Sequence, residues 1–549
     1  MTTWSGPPVD SVPGLGARTL GGFLVEVADR FGPNEALVFD DPLLDGATVR
    51  WTYTDLLASA RRVGLGLLDR GLEPGQAVGI LMGNRPEAVA AIFGAALAGC
   101  VAVPLSTFAP PPELALMLDR AEVRVLLTQD RLLHRRLGGE AHSLAPDAPT
   151  LDHVAVLGTS SWARLVGPAD LPAAALDRRQ VDVDPEDDAL VTFSSGTTSE
   201  PKGVLHAHSA PCLQFWVQAQ LFGRHEATRL WTSLPLFWTA GFNTAMGATL
   251  AAGGCWVMQE TFEPGAALAL MEREHVTEPY SLPHQTAALE EHPAWATTDL
   301  SSLRCVFGKS AFARHPTVQG DTAWNMPVGY GLSETCAFFV GHPFDAPREV
   351  RTQSMGRLLP GNELRIVDPD TGGALGPEAD GELAVRGPTL MRRYLGRRTD
   401  ECFDADGFFR TGDAGFVDPA GFVHFTGRRT EMIKTAGANV SPAELEVQLR
   451  ACPAVKLSRV LGVADPTVDQ IVVACITLKD GATATETDIQ AFLRERVASY
   501  KVPKRVLFFD DGEIPMTRSD TKVRDLDLVA LVEERLARTE PLQPTSGER

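Results

Sequence analysis

The sequence lacks the features of several protein classes. Its eight cysteines are scattered and include no CxxC pair, so neither a disulfide framework nor a zinc site is indicated, and the reducing cytoplasm fits best. Fifty lysine and arginine residues stand against 70 aspartate and glutamate residues, a formal net charge of −20, and no basic cluster is long enough to follow a phosphate backbone. The composition therefore argues against nucleic-acid binding.

Signals for export or membrane insertion are not apparent either. No basic stretch precedes an apolar core at the N-terminus, so we expect no secretory signal. The one long apolar run, 88–105, is rich in alanine and contains Gly94, Gly99 and Pro104, whereas a membrane span needs about 20 strongly apolar residues. The run predicts a buried helix that passes into a strand, in a soluble protein without a membrane span.

Length and pattern predict an α/β protein of at least two domains. The chain has 549 residues, of which 44% are hydrophobic, too long for a single compact core. Helical and strand patterns alternate up to about residue 305, as in a parallel sheet with helices on its faces. Beyond residue 340, short strands separated by turns predict a small β-barrel-like region, and an α+β pattern follows from about residue 427. We expect irregular surface structure over 144–187, and disorder before residue 16 and after residue 538.

The segment 190–208, LVTFSSGTTSEPKGVLHAH, carries the clearest chemical signal. A strand-like run enters a loop of hydroxyl side chains and glycine, which a lysine follows. Such hydroxyls, with free backbone N–H groups around glycine, can surround phosphate oxygens, and a lysine adds a positive charge. The loop lacks the GK[ST] ending of a Walker A motif. The predicted phosphate-binding residues are Ser194, Ser195, Gly196, Thr197, Thr198 and Lys202.

His206 and His208 stand two positions apart on the strand that follows this loop. Side chains at that spacing share one face of a strand, so a metal-binding pair is one interpretation. No carboxylate or third ligand lies nearby in the sequence. We therefore favour packing or hydrogen-bonding roles for both histidines.

Five segments together resemble the motifs of one family. The phosphate loop is similar to the signature of the adenylate-forming superfamily, which includes acyl- and aryl-CoA ligases, the adenylation domains of peptide synthetases and luciferases. Four further segments resemble that family's motifs in order: 329–335 (GYGLSET), 410–413 (RTGD), 427–446 at the hinge, and 514–524 around the catalytic lysine. The resemblance is specific because it rests on five motifs at family-like spacing.

The resemblance implies two domains and an ATP-dependent reaction. Residues 1–428 would form a large N-terminal AMP-binding domain, and residues 429–549 a smaller, mobile C-terminal domain. The family joins a carboxylate to the α-phosphate of ATP, which releases pyrophosphate and forms an acyl-AMP intermediate. Negative charge grows on the α-phosphate in that step, so cations and donors must already lie there. By resemblance, Lys522 would touch both carboxylate and α-phosphate, Ser333 would reach the α-phosphate, and Glu334 would hold Mg²⁺.

The resemblance also places residues around the nucleoside and the acceptor. Asp413 would accept hydrogen bonds from both ribose hydroxyls, since a carboxylate can accept several, and Arg428 would assist. Tyr330, with Gly331 beside it, would offer an aromatic face to adenine. Gly437 would lie on the face of the small domain that meets CoA, where a missing side chain lets the pantetheine arm approach.

Two positions depart from the family where the acid would bind. Trp238 stands where CoA-forming members often have histidine, and its large ring would reshape the pocket. Lys309 follows Gly308, where the family usually has two small residues beside adenine. A lysine in a pocket is costly unless it meets an anion; Lys309 either recognises a second acidic group or a small acid's oxyanion, or it extends outward to solvent. The predicted pocket, which favours a small or aromatic acid, consists of Phe237, Trp238, Asn243, Phe307, Lys309 and Gly329.

The resemblance implies an AMP-forming acid–CoA ligase, with ATP, Mg²⁺, a small-molecule acid and CoA as its small molecules. One alternative keeps the adenylation step but changes the acceptor to a carrier-protein thiol or an amine, or the acid to a small oxyanion such as nitrite. Another is a nucleotide-binding regulator that has lost catalysis. The joint presence of Lys522, Glu334 and Asp413 argues against the regulator, because a sensor needs no lysine on a moving domain.

Overall fold

The computed structural model of the chain describes residues 2–144, 148–167, 171–194, 201–306, 310–319, 327–369, 371–428, 433–435, 438–440, 442–465, 469–497, 501–515 and 525–538. Within these ranges the strands form five sheets. They confirm the predicted α/β class, with a large N-terminal region, a small barrel-like region and a smaller α+β C-terminal region. The division at 428/429 stays a prediction.

The largest sheet has seven strands among the described residues and carries the predicted phosphate loop. Its order is Arg393–Tyr394, Lys202–Ala207, Asp188–Ser194, Val101–Pro104, Ala77–Leu81, Val123–Gln129 and His153–Leu157. The last five of these run parallel, whereas the first two pair antiparallel at one side of the sheet. The Ala77–Leu81 strand is buried throughout, as is usual for parallel strands with helices on both faces.

A second mixed sheet lies beside the predicted acid pocket. Its five strands follow the order Glu278–Pro279, Arg229–Thr232, Cys255–Met258, Glu35–Asp41 and Ala47–Thr52. The first four are parallel, and the last pairs antiparallel with its neighbour. Phe237 and Trp238 lie in the loop that leaves the carboxyl end of the Arg229–Thr232 strand. Ligands commonly bind at the carboxyl ends of parallel strands.

Two antiparallel sheets form the barrel-like region. One consists of Gly329–Leu332, Ala337–Gly341 and Arg357–Leu358, and the other of Trp4–Ser5, Glu363–Val367, Gly381–Arg386, Phe409–Val417 and Val423–Arg428. Trp4 pairs with Leu364. The expected disorder before residue 16 is therefore wrong at Trp4–Ser5, because these residues complete the edge of a sheet.

The C-terminal region is a sheet covered by helices on both faces. Its strands are Ile433–Thr435, Ala438–Val440, Val455–Asp465, Asp469–Leu478 and Arg505–Phe508, and its helices are Pro442–Arg450, Glu486–Arg494 and Asp525–Arg538. Leu445 and Ile489 lie in the apolar cluster on one face, and Leu528 lies in the cluster on the other. This is the α+β arrangement that the sequence predicts.

Helices of the N-terminal region pack between and around its sheets. The α-helices are Leu20–Phe31, Tyr53–Asp69, Pro86–Leu97, Pro111–Arg120, Leu137–Leu144, Ser160–Val166, Ala173–Val181, Ser209–Leu221, Ala248–Ala251, Pro264–Arg273, Pro283–Glu291, Ala311–Arg314 and Arg348–Arg351. A π-helix spans Ala240–Gly247. Short 3₁₀ turns occupy Val9–Ser11, Pro42–Leu44, Trp295–Thr297, Ser333–Thr335 and Thr399–Glu401.

The expectation of irregular structure over 144–187 is wrong. A strand, His153–Leu157, and two helices, Ser160–Val166 and Ala173–Val181, lie within this stretch. Each helix buries a single residue, Leu165 or Leu176. With so few buried side chains the apolar periodicity that predicts a helix is absent, and tertiary packing determines the structure.

The alanine-rich run is a buried helix followed by a strand, as predicted. In Pro86–Leu97 every residue except Glu87 is buried. A Cβ on Gly94 would lie 2.7 Å from the Cβ of Val63, and a Cβ on Gly64 would lie 3.0 Å from the Gly94 carbonyl oxygen, so glycine lets this helix approach Tyr53–Asp69 closely. Among the described residues, no helix combines the length and apolar character that a membrane crossing needs.

His206 and His208 are buried hydrogen-bonding residues. His206 Nε2 donates to the Ser333 carbonyl oxygen at 2.9 Å, and His208 Nδ1 accepts from the Leu20 N–H at 3.2 Å. The other ring nitrogen of each histidine is buried without a hydrogen-bond partner in the described chain. Burial lowers the pKa of each imidazole to about 4, and the bond to Ser333 only partly offsets this effect at His206. Both side chains are therefore neutral at pH 7, and hydrogen-bonding roles suit them better than a metal pair.

These two histidines predict a specific dependence of stability on pH. Their folded pKa of about 4 lies below the ordinary 6.5, so the unfolded chain binds more protons between these values. The stabilisation is complete above about pH 6.5 and is lost as the pH falls toward 4, by at most about 1.4 kcal/mol per pH unit per histidine. Urea denaturation of a His206→Gln, His208→Asn double variant should show a flatter dependence, since the new amides retain the donor and the acceptor.

The matched control is His134→Gln, because His134 is exposed. This control should reproduce the wild-type slope of unfolding free energy between pH 4 and 6.5. An equal slope for the double variant and the wild type would contradict the assignment of neutral buried imidazoles.

Candidate active site

The Lys202–Ala207 strand carries the predicted phosphate lysine and lies between two other strands. It pairs with Asp188–Ser194 on one side, with Lys202 opposite Ser194, and with Arg393–Tyr394 on the other. The connecting residues, 195–200, lie outside the described part of the chain. The Nζ of Lys202 lies 5.7 Å from the centre of the Tyr394 ring, at cation–π distance. Lys202 is thus fixed at the exit of the loop by its strand and faces an aromatic ring.

The GYGLSET segment is a tight hairpin strand that requires its glycines. A Cβ on Gly331 would lie 1.8 Å from the Ala337 carbonyl oxygen, and one on Gly329 would lie 2.6 Å from the Val340 carbonyl oxygen. After the segment, Cys336 and Ala337 have φ of 60° and 133°. Positive φ at non-glycine residues is costly and clusters at functional sites. The close backbone approach accounts for both glycines, while their predicted places beside adenine and the acid remain predictions.

Glu334 and Ser333 are held by the strand that carries Lys202 and by its neighbour. The Ser333 carbonyl oxygen accepts the bond from His206. The Met391 N–H donates to the Glu334 carbonyl oxygen at 2.7 Å, and the Tyr394 hydroxyl donates to Glu334 Oε1 at 2.7 Å. The predicted metal ligand and the predicted phosphate lysine therefore both contact Tyr394.

This donor set fits Mg²⁺ bound together with a nucleotide. Among the described residues, no group of three or more histidine, cysteine, aspartate or glutamate side chains could hold a metal alone. Mg²⁺ is commonly held by one or two carboxylates and completed by substrate phosphates and water. A half-buried Glu334 carboxylate near a predicted phosphate site matches that pattern.

The predicted ribose and adenine residues contact each other. The Tyr330 hydroxyl donates to Asp413 Oδ2 at 2.7 Å, and both residues are buried. One face of the Tyr330 ring stacks on Phe425, with centroids 5.6 Å apart and an interplanar angle of 24°. Asp413 lies opposite Arg428 in the strand register. Tyr330, Asp413 and Arg428 thus share one corner of the barrel-like region, although their contacts with a nucleoside remain predictions.

Three aromatic rings form a cluster where the sequence places the acid. The rings of Phe237 and Trp238 meet at an interplanar angle of 79°, with centroids 6.0 Å apart. Phe108, which sequence analysis did not select, packs edge-on against both at 5.4 and 6.2 Å and is 43% exposed. Phe108 follows the carboxyl end of the Val101–Pro104 strand. Residues at that end of a parallel strand are candidates for ligand binding.

A buried amide fixes the loop that carries this aromatic cluster. Asn84 Nδ2 donates to the Leu234 carbonyl oxygen at 2.9 Å, and the Leu236 N–H donates to Asn84 Oδ1 at 3.0 Å. Asn84 is 2% exposed. Because the Asn84 amide bonds a carbonyl oxygen and an N–H group of the same loop, it holds the loop before Phe237 in one conformation.

The π-helix Ala240–Gly247 and the helix Ser209–Leu221 are linked to the GYGLSET segment and the residues after it by buried polar contacts. Asn243, a predicted pocket residue, contacts Cys336 Sγ through Nδ2 at 3.6 Å. Gln214 Nε2 donates to the Thr335 and Phe338 carbonyl oxygens at 3.0 and 2.7 Å. π-helical turns often occur at functional sites. Asn243 is completely buried, and its place in the acid pocket remains a prediction.

Several predicted residues lie outside the described ranges. They are Ser195, Gly196, Thr197, Thr198, Phe307, Gly308, Lys309, Gly437 and Lys522. The side chains of Ser194 and Arg428 are likewise outside the description. The roles assigned to these residues stay predictions.

Sequence analysis missed Tyr394, Phe108 and Asn84. Tyr394 lies 60 residues from Glu334, and no motif connects the two. Asn84 and Phe108 each follow the carboxyl end of a buried strand, which is the one signal that identifies them.

Two family comparisons cover most of the chain. The AMP-binding enzyme family matches residues 24–395, and the AMP-binding enzyme C-terminal domain matches residues 444–521. The first match alone spans more than half of the sequence. The order of the two matches agrees with the large and small regions of the fold.

Known proteins resemble the chain over nearly their whole length. It is 31% identical to 4-coumarate–CoA ligase 3 of Oryza sativa subsp. japonica over 490 residues, 85% of each chain. The ATP-bound structure of MatB from Rhodopseudomonas palustris has a TM-score of 0.79 and 26% identity, and the match covers 94% of this chain and 99% of that one. The amide bond synthetase McbA from Marinactinospora thermotolerans has a TM-score of 0.76 and 29% identity, covering 93% and 99%.

Two of the five motifs, the exit of the phosphate loop and GYGLSET, meet at the Lys202–Ala207 strand. RTGD contacts GYGLSET through Asp413 and Tyr330, and the solved structures that the fold resembles include an ATP-bound one. The chain belongs to the AMP-binding enzyme family, that is, to the adenylate-forming superfamily, and is an AMP-forming ligase that uses ATP.

Proposed function

We propose that the protein converts a carboxylic acid to an acyl-AMP and then transfers the acyl group to the thiol of CoA. The observation that carries the proposal is the convergence on one strand: Lys202 lies on it, and Ser333 and Glu334 are bonded to it or to its neighbour. The similarity to a 4-coumarate–CoA ligase supports CoA as acceptor. The similarity to an amide bond synthetase favours an amine as the second candidate acceptor.

The first half-reaction displaces pyrophosphate from ATP. A carboxylate oxygen forms a bond to the α-phosphorus, and the bond from that phosphorus to the bridging oxygen of pyrophosphate breaks. Lys522 offsets the negative charge that grows on the α-phosphate, and the Ser333 hydroxyl donates to the same group. Glu334 would hold Mg²⁺, which neutralises phosphate charge when bound. Asp413 orients the ribose, so that the α-phosphate lies between acid and lysine.

The second half-reaction replaces AMP by the acceptor. The sulfur of CoA attacks the acyl carbonyl carbon, the carbon–oxygen bond to AMP breaks, and the thiol proton is released. Gly437 lies on the C-terminal face that approaches CoA in this proposal. An amine acceptor would follow the same course and form an amide.

The aromatic cluster supports a small or aromatic acid. Phe108, Phe237 and Trp238 present ring edges and faces that suit a flat substrate. Lys309, in this proposal, pairs with a second acidic group of the substrate.

A pyrophosphate-release screen over aromatic, short-chain and dicarboxylic acids, with and without CoA, tests the proposed function. We expect pyrophosphate with at least one acid and multiple-turnover AMP release only when CoA is added. AMP release that depends on an added amine, and not on CoA, would show that the acceptor is an amine instead of CoA. No pyrophosphate with any acid would contradict adenylation of a carboxylate.

Replacing the catalytic lysine separates the two half-reactions. Lys522→Ala should slow pyrophosphate release about 10²- to 10³-fold, because a preorganised cation at the α-phosphate is lost. It should still convert supplied acyl-AMP and CoA to acyl-CoA at close to the wild-type rate. Lys456→Ala is the matched control, since Lys456 lies on the same region in an exposed pair with Asp511 and should change neither rate. Equal adenylation by Lys522→Ala and wild type would overturn the role of Lys522.

Trp238→Ala should change the choice of acid rather than the use of ATP. Removing the large ring opens the cluster with Phe108 and Phe237, so the kcat/KM ratio of larger to smaller acids should rise about tenfold. The KM for ATP should stay within about twofold, which serves as the internal control. An unchanged ratio across the acid panel would place Trp238 outside the pocket.

A further inference from the structure

A tyrosine outside the five motif segments is hydrogen-bonded to the predicted metal ligand. The Tyr394 hydroxyl donates to Glu334 Oε1 at 2.7 Å. The phenol O–H is the donor in this bond, because an ionised carboxylate can only accept.

The segment around Tyr394 is hydrogen-bonded both to the Lys202–Ala207 strand and to Glu334. The Arg392 N–H donates to the Leu205 carbonyl oxygen at 2.8 Å, and the Leu395 N–H donates to the Gly203 carbonyl oxygen at 2.8 Å. On the other side, the Met391 N–H donates to the Glu334 carbonyl oxygen. The backbone and the phenol thus hold Glu334 together against the strand that carries Lys202.

Contacts with its ring fix the position of Tyr394. The Lys202 ammonium and the Arg397 guanidinium lie 5.7 and 5.8 Å from the ring centre. Phe409 packs against the ring at a steep angle, with centroids 6.3 Å apart. A ring held in this way can impose a fixed position on the carboxylate that its hydroxyl touches.

A glutamate side chain has several rotatable bonds, and ordering it costs entropy when a cation binds. A hydrogen bond to one carboxylate oxygen fixes the orientation of the side chain before the cation binds, and it leaves the other oxygen available to the cation. We propose that Tyr394 is a positioning residue that orients Glu334 for Mg²⁺·ATP, and this inference rests on the proposed role of Glu334. Partners of this kind typically change metal affinity 10- to 100-fold when removed.

Tyr394→Phe tests the inference, because it removes the hydroxyl and retains the ring and its contacts with Lys202 and Phe409. The measured quantity is the ratio of the Kd for ATP in EDTA to the Kd in excess Mg²⁺, obtained by calorimetry without any acid. We expect this ratio to fall about tenfold in Tyr394→Phe. Adding Tyr394→Phe to Glu334→Gln should have no further effect on the ratio, since the tyrosine acts through the carboxylate.

The matched control is Tyr330→Phe, which likewise removes a phenol that donates to a carboxylate, that of Asp413. It should weaken ATP binding by the same factor with and without Mg²⁺, so the ratio should stay at the wild-type value. An equal fall of the ratio in both variants would show a general structural effect and overturn the inference.

Two further outcomes separate this inference from the proposed function. If Glu334→Gln abolishes the Mg²⁺ dependence of ATP binding and Tyr394→Phe retains it, the inference alone is wrong. If wild type and Glu334→Gln show the same ratio, the assignment of Mg²⁺ to Glu334 is wrong, and the inference fails with it.

Discussion

The hydrogen bonds on both edges of the Lys202–Ala207 strand are the constraint on which the candidate site depends. One edge pairs with Asp188–Ser194, which leads into the predicted phosphate loop, and the other pairs with Arg393–Tyr394. The same strand places His206 against the Ser333 carbonyl oxygen. Displacing this strand would therefore separate the predicted phosphate lysine, Lys202, from Ser333 and from the predicted metal ligand, Glu334.

The site combines neutral buried groups with charged side chains, of which Lys202 and Glu334 are half-buried and Asp413 is buried. The imidazole of His206 is neutral because burial lowers its pKa, so it donates to the Ser333 carbonyl oxygen without placing a charge there. Cys336 and Ala337, directly after the GYGLSET segment, have positive φ angles, which are unfavourable for non-glycine residues. A rigid framework of this kind suits a reaction in which the main moving group, Lys522, is proposed to come from another domain.

Contiguous motifs could be predicted from the sequence, whereas contacts between distant segments could not. The phosphate loop, GYGLSET and RTGD each consist of neighbouring residues whose chemistry is visible in the order of the letters. The bond from Tyr394 to Glu334 depends on strand pairing across 60 residues. The missed helix Ala173–Val181 buries one leucine, and Trp4–Ser5 is a strand only because Glu363–Val367 lies beside it. Local pattern was sufficient where burial is dense or a motif is compact, and tertiary packing decided the rest.

The central claim is that a carboxylate of the substrate attacks the α-phosphorus of ATP. The most direct measurement uses an acid with oxygen-18 in its carboxyl group, any acid that supports pyrophosphate release, followed by mass spectrometry of the products after acyl transfer. The account predicts one oxygen-18 atom in AMP and none in pyrophosphate, because the carbon–oxygen bond breaks when the acyl group leaves. Oxygen-18 in inorganic phosphate, with ADP as the nucleotide product, would contradict it.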